Sequence, residues 1–335
     1  MKMKSIFLCE DKPCITRVFS EQCIKKLVET AELDTSVYNK EEILNNSEKF
    51  QNVEFIFSTW GMPSFTNKEI SDCFPQLKCI FYAAGTVKFF ARNFLEAGVK
   101  VFSAWAANAI PVAETAMSLI LLANKGFFQT SRVYKKQSYI QARKILAKCA
   151  GNFDTNVGLI GVGMIGTEVA ELLNKHRLNL FAYDPFLSDK KAQELNITKC
   201  DLPTLFKSCI TISNHLADNE QTRGLLNENL FSLMPSYATF INTGRGAQVI
   251  ERDLINVLKK RPDLTAVLDV TCAEPLPDNN PFYTLENCII TPHIAGSQNK
   301  EVRRMADYMV QEYVNYIHGN ETRYEVTLDS LKTMA

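Results

Sequence analysis

The hydrophobic pattern falls into two blocks of short apolar runs separated by amphipathic stretches of helix length. In the first block, strand-like runs occur at 5–9, 53–58, 79–83 and 99–104, with helical patterns between them at about 15–33 and 88–97. Strands that alternate with helices predict a parallel sheet covered on both faces. The second block is more regular, with runs at 157–160, 178–183, 209–213, 238–242, 265–268 and 288–291. Six near-continuous apolar strands, most separated by helix-length segments, predict a doubly wound dinucleotide-binding fold. Between the blocks, Pro111 is predicted in the first turn of a long apolar helix that runs to Lys125, is buried on most of its surface and crosses from one domain to the other. From about Lys300 a last helix carries Val302, Met305, Ala306, Met309, Val310 and Tyr313 on one face and is expected to return to the first block.

Composition narrows the classes. A chain of 335 residues exceeds one hydrophobic core, so two domains are expected. Lys+Arg and Asp+Glu balance at 37 each, without blocks of like charge, which argues against nucleic acid or a membrane surface as partner. The apolar N-terminal run ends at Glu10 and Asp11, too short for a secretory signal. No stretch is read as reaching the about 20 apolar residues that span a bilayer. A cytoplasmic protein that does not enter membranes is expected. The ten cysteines are scattered without a C-x-x-C pair, so they read as small buried hydrophobes in a reducing compartment, and no metal site is expected.

The second block opens with chemistry. Gly161, Gly163 and Gly166 form G-x-G-x-x-G between a strand-like run and an amphipathic helix, and Asp184 ends the next strand. The first glycine permits the tight turn, the second lets backbone reach a pyrophosphate, and the third lets helix pack on strand. Orphan N–H groups at the helix start then face the phosphates. A carboxylate at Asp184 accepts from a ribose 2′-OH and repels a 2′-phosphate, and Pro185-Phe-Leu187 brings no arginine. The cofactor expected is NAD.

The remaining reactive residues each follow a strand: His215, Arg245, Asp269 with Glu274, and His293. Ligands of open α/β sheets bind beyond the carboxyl ends of strands, so these residues converge on one edge. Of the four histidines, His176 and His318 read as helix-end residues. His215 reads either as a cofactor contact or as a hydrogen-bonded strand-end histidine. Arg245 alone would read as a structural ion-pair residue, and Glu274 alone as a helix-start carboxylate. His293, in Thr291-Pro-His-Ile-Ala-Gly296, is the candidate acid/base.

With these motifs the chain resembles the D-isomer-specific 2-hydroxyacid dehydrogenase family. The matching stretches are Gly161–Gly166 with Asp184, Ile241-Asn-Thr-Gly-Arg-Gly246, Leu268-Asp-Val-Thr-Cys-Ala-Glu-Pro275, Thr291-Pro-His-Ile-Ala-Gly296, the 222–234 segment and Val112-Ala-Glu114. The resemblance implies an α/β protein of two doubly wound domains with parallel sheets. A Rossmann NAD-binding domain (107–297) would be inserted into a flavodoxin-like substrate-binding domain (1–106 and 298–335). It implies a catalytic set of Arg245, Glu274 and His293. Histidine has the near-neutral basicity needed to exchange the hydroxyl proton. A carboxylate on its other nitrogen fixes the tautomer and favours the imidazolium, and Arg245 offers a planar fork to a carboxylate and a carbonyl oxygen. It also implies cofactor contacts at Gly161, Gly163, Met164, Ile165, Gly166, Asp184, His215, Asn219, Thr243, Asp269 and Gly296, with Asp269 near the nicotinamide amide. Substrate carboxylate would bind Ala84, Gly85 and Thr86, and a homodimer would form through the long apolar helix.

The expected activity is reversible hydride transfer at C2 of a small 2-hydroxy or 2-oxo acid. The chain departs from the family at His215-Leu-Ala217-Asp218-Asn219 and at Pro235-Ser236-Tyr237. Phosphoglycerate-handling members carry arginines near the positions of Trp60 and Ala83, so an unphosphorylated acid is favoured over phosphoglycerate. Formate-dehydrogenase-like chemistry is disfavoured by Glu274. A dinucleotide-sensing corepressor-like protein shares the fold and is separated by turnover.

Overall fold

In the computed structural model, residues 2–332 are described; Met1 and 333–335, the extreme ends of the segments predicted as 1–106 and 298–335, lie outside them. The described strands are β1 (Lys4–Leu8), β2 (Glu32–Tyr38), β3 (Phe55–Ser58), β4 (Cys79–Tyr82), β5 (Lys100–Ser103), β6 (Thr155–Ile160), β7 (Leu178–Tyr183), β8 (Ile197–Lys199), β9 (Thr211–Asn214), β10 (Thr239–Asn242), β11 (Thr265–Leu268), β12 (Cys288–Ile290) and β13 (Glu325–Val326). Two compact units divide the chain: residues up to Asn108 with those from Ser297 onward, and Ala109–Gly296.

The first unit holds a sheet ordered β13-β5-β4-β3-β1-β2, parallel except for β13. Its central strands are apolar on both faces, and register sorts the faces by residue type. Ile6, Ile56, Ile80 and Val101 are cross-strand neighbours on one face, and Phe7, Phe57, Phe81 and Phe102 on the other. The helix Val302–Ile317 covers the aromatic face with Met305, Met309 and Tyr313, whose ring lies 5.3 Å from Phe57. The helix expected over 15–33 is two helices, Pro13–Val18 and Glu21–Thr30, followed by β2. Ser20 breaks it by accepting from the Cys23 N–H, and β2 escaped the sequence reading because it is a half-exposed edge strand without an apolar run.

The second unit holds a wholly parallel sheet ordered β12-β11-β10-β9-β6-β7-β8. It has seven strands rather than six; β8 is short and two of its residues are exposed, so it leaves little pattern. After β6 the chain builds β7 and β8 on one side, then β9 to β12 on the other, which makes the β6/β9 junction the topological switch point where such sheets take ligands.

The long apolar helix spans Trp105–Asn124, so Pro111 lies inside it rather than in its first turn. Proline removes one donor from the helix ladder, and less than half of the helix is buried, short of the expected burial on most of its surface. The helix is also long and apolar enough, by length and composition, to cross a membrane, with a mean hydropathy of 1.5, which corrects the expectation that no stretch reaches that limit. Ala113, Ala116, Ile120 and Ala123 are buried in the core of the second unit. All ten cysteines are free, and only Cys272 is classed as exposed.

Candidate active site

The turn after β6 is built around backbone constraints. Gly161 adopts φ +88°, and a Cβ there would meet the His215 backbone at 3.0 Å; a Cβ on Gly166 would lie 2.1 Å from the Gly161 carbonyl oxygen. Gly163, by contrast, faces open space, with nothing within 4 Å of a Cβ. It is the N-cap of the helix Met164–Leu173, whose first turn bonds from the Thr167 N–H back to the Gly163 oxygen. The N–H groups of Met164, Ile165 and Gly166 are thus orphan donors beside an open cradle, which fits a pyrophosphate.

Asp184 directly follows β7 and closes this turn. One carboxylate oxygen accepts from the Val162 N–H at 2.7 Å and the other from the Phe186 N–H at 2.8 Å, so its negative charge is fixed beside the glycine turn. Phe186 is exposed next to it.

His215 follows β9 at the switch point, and its N–H bonds to the Ile160 oxygen at 2.7 Å. Burial pushes its imidazole down to about 4, so the ring is neutral at physiological pH. Its Nδ1 lies 3.5 Å from the Thr243 hydroxyl, while Nε2 is buried without a partner among the described residues. An orphaned buried nitrogen beside the glycine turn suits a polar group of a bound cofactor. Asn219 is turned to local work, its side-chain oxygen accepting from the N–H groups of Gln221 and Thr222.

Arg245 follows β10 and is held by its own backbone. Its N–H donates to Gln248 Oε1 at 3.1 Å, its carbonyl accepts from Asn242 Nδ2 at 3.1 Å, and one guanidinium nitrogen donates to the Gly244 oxygen at 2.8 Å. Burial pulls the guanidinium below its ordinary value, opposed by the negative charges of Glu274 and Asp218; it stays charged. Beneath it lies a buried amide network that the sequence reading missed. Asn214 Nδ2 donates to Asn242 Oδ1 and to Gln248 Oε1, and Gln248 Nε2 donates to the Leu216 oxygen. Its trace in the sequence is an amide ending each of two apolar strands and a glutamine set before Val249-Ile250.

Glu274 and His293 meet at the carboxyl edge of β11 and β12. Glu274 Oε2 lies 2.8 Å from His293 Nδ1, and Oε1 accepts from the Thr271 N–H at 3.2 Å. Glu274 sits in an irregular segment, so it does not start a helix. His293 has φ +54°, the left-handed region that non-glycine residues seldom occupy. Both side chains keep over 40% of their surface exposed, leaving room for a substrate. Asp269 is buried and accepts from Thr291 Oγ1, the Ile294 N–H and the Ala295 N–H. Gly296 closes the unit.

In the first unit, the loop after β4 is pinned by its carbonyls. Thr59 Oγ1 donates to Ala83, and Ser103 Oγ donates to Ala84 and Gly85, at 2.7 to 2.9 Å. Ala84, Gly85 and Thr86 follow this strand as expected from the pattern. Among the described residues no group of His, Cys, Asp and Glu is arranged to hold a metal ion.

Comparison with known proteins gives the family. The NAD binding domain of the D-isomer specific 2-hydroxyacid dehydrogenases matches residues 117–295, more than half of the chain. A D-3-phosphoglycerate dehydrogenase of Archaeoglobus fulgidus is 31% identical over 70% of this chain and 44% of its own length. A hydroxypyruvate reductase of Thermotoga maritima is 31% identical over 65% of this chain and 70% of its own length. The chain spans about half the length of the phosphoglycerate dehydrogenases it matches, between 42% and 58%. The structure of a phosphoglycerate oxidoreductase from Rhizobium etli aligns with a TM-score of 0.81 at 18% identity, covering 98% of this chain and 100% of that one, a likeness of fold. With a glycine turn that fits a pyrophosphate, an arginine and a histidine–glutamate pair on one sheet edge, and this match over most of the second unit, the chain belongs to the D-isomer specific 2-hydroxyacid dehydrogenase family and carries its NAD-binding domain.

Proposed function

We propose that the chain catalyses reversible hydride transfer between NAD(H) and C2 of a small, unphosphorylated 2-hydroxy or 2-oxo acid of the glyoxylate or hydroxypyruvate kind. The observation that carries this reading is the 2.8 Å pairing of His293 Nδ1 with Glu274 in the unit that holds the dinucleotide turn and Arg245. Bound NAD(H) supplies the hydride acceptor or donor. His293, with Nδ1 turned to Glu274, uses Nε2 to take the hydroxyl proton during oxidation and to return it to the oxygen during reduction. Glu274 holds the tautomer and favours the imidazolium that forms. Arg245 grips the substrate carboxylate and polarises the C2 oxygen. Gly161, Gly163, Met164, Ile165 and Gly166 hold the pyrophosphate, Asp184 the ribose hydroxyls, and His215 and Thr243 line the groove. Ala84, Gly85 and Thr86 serve the substrate carboxylate through backbone N–H groups. In this reading 107–297 is the NAD-binding domain and 1–106 with 298–335 the substrate-binding domain.

A second reading has its own support. Phosphoglycerate dehydrogenases are among the relatives, and the guanidinium of Arg17 lies over the Trp60 ring at 5.5 Å, where a phosphate would need a cation. The test is NADH oxidation across glyoxylate, hydroxypyruvate, phosphohydroxypyruvate and branched 2-oxo acids. Preference for an unphosphorylated acid is expected; preference for phosphohydroxypyruvate selects the second reading. NADH binding without any turnover would leave a dinucleotide sensor.

The assembly proposed is a cytoplasmic homodimer. Phe127, Tyr134, Tyr139 and Ile140, on the two helices after the long apolar one, are 49 to 67% exposed, a cluster of large apolar side chains of the kind interfaces cover. Light scattering at micromolar concentration should give twice the 37.9 kDa chain mass; a monomer refutes the dimer.

A further inference from the structure

His293 occupies a left-handed backbone conformation at φ +54°, which is unfavourable for a non-glycine residue. Such a conformation persists only when its surroundings determine it. Here the His293 N–H is shared between the Thr291 oxygen and Asp269, and the loop on either side is gathered by Asp269. The Asp269 carbonyl accepts from the His293 N–H at 3.0 Å. Its carboxylate Oδ1 accepts from the Thr291 hydroxyl at 2.6 Å and the Ile294 N–H at 2.8 Å, and Oδ2 accepts from the Ala295 N–H at 2.8 Å. Four donors from 291, 293, 294 and 295 thus converge on Asp269, which is 3% exposed.

We propose that Asp269 is the positioning residue of His293: it clamps the 291–295 loop in the conformation that turns the imidazole to Glu274. It acts on the loop, a role separate from the nicotinamide contact that the family resemblance implies. The ionised carboxylate is required, because donors approach both of its oxygens and bonds to a charged acceptor are roughly twice as strong as neutral ones. An asparagine offers one acceptor oxygen, so its NH₂ would face an N–H or the threonine hydroxyl. The role in catalysis rests on the hydride-transfer reading above.

The test compares Asp269→Asn, Thr291→Val and Thr291→Ser with the wild-type chain. It measures steady-state reduction of whichever 2-oxo acid the wild type turns over, NADH affinity by fluorescence titration, and amide hydrogen exchange of residues 291–296. Asp269→Asn should lower kcat at saturating NADH by about 10²-fold, the usual cost of a misplaced reacting group. Exchange at Ile294 and Ala295 should accelerate. Thr291→Val should lose turnover in the same way to a smaller degree, and Thr291→Ser, which keeps the hydroxyl donor, should restore most of it. If Asp269→Asn instead weakens NADH binding and keeps kcat at saturation, Asp269 is a cofactor contact and the proposal falls. It also falls if Thr291→Val matches wild type and exchange is unchanged. A wild-type chain that reduces no oxo acid sinks the hydride-transfer reading alone, since exchange and NADH affinity still decide the clamp.

Discussion

A histidine that exchanges a proton with a substrate needs one ring nitrogen held by an orienting partner. His293 has its Nδ1 on Glu274, and nearly half of its side chain is exposed. His293→Ala should therefore lower turnover by roughly 10²–10⁴-fold, the contribution of a positioned acid/base, while NADH affinity from titration stays close to wild type. Retention of turnover would remove His293 from the mechanism. His215 shows the opposite environment, buried and held neutral with its imidazole pushed from 6.5 down to about 4. As pH falls below 6.5 the unfolded chain takes up a proton that the folded chain refuses. This contribution to stability is therefore fully present above about pH 6.5 and is lost toward pH 4, where the loss approaches about 3 kcal/mol. Urea denaturation of the cofactor-free protein between pH 7 and 4.5 should show wild type losing more stability than His215→Phe. Parallel curves would contradict the buried neutral histidine.

At the scale of elements, Arg245 depends on the amide network that ties the ends of β9 and β10 to the 246–248 turn. Removing one partner strands the others: Gln248→Val takes the Gln248 partner from one Asn214 N–H (the bond to Asn242 remains), the Arg245 backbone N–H and the Leu216 carbonyl, at about 1–3 kcal/mol per unsatisfied group. Asn214→Leu added to Gln248→Val removes the stranded amide, so the double variant should cost less than the sum of the singles by about 0.5–3 kcal/mol. Additive losses in denaturant titrations would show that the amides are not coupled. This network also marks where the sequence stops being legible. Strands β1, β3 to β6 and β9 to β11 announce themselves because burial on both faces makes them near-continuous apolar runs, and β7 and β12 were legible as apolar runs although only partly buried. The Gly161–Gly166 turn was readable because turn chemistry sets the glycine spacing, whereas Arg245, Glu274 and His293 each follow a strand and were singled out by the motifs of the family resemblance. The edge strand β2, half solvated, and the helix Asn67–Cys73, too short to show a period despite its Thr66/Glu69 capping box, were not. Nor was the clamp on His293, since four donors meet Asp269 only after β11 and β12 pair.

At the scale of the whole molecule, cofactor choice can be read as stability. A ligand that binds only the folded state stabilises it by RT ln(1 + [L]/Kd), about 2.7 kcal/mol at a hundredfold excess over Kd. The open cradle at Gly163 and the helix beginning at Met164 serve the pyrophosphate of NADH and NADPH alike. Discrimination falls to Asp184, whose two oxygens are fixed by the Val162 and Phe186 N–H groups and whose charge therefore cannot swing away from a 2′-phosphate. NADH should raise the unfolding temperature substantially, NADPH at the same concentration should raise it much less, and Asp184→Ala should narrow the gap. Thermal unfolding followed by fluorescence with each nucleotide measures all three. An equal or larger shift with NADPH would overturn the assignment of Asp184, and the absence of any shift with either nucleotide would overturn the cofactor site. Because the readout is unfolding, the comparison is independent of which acid is reduced.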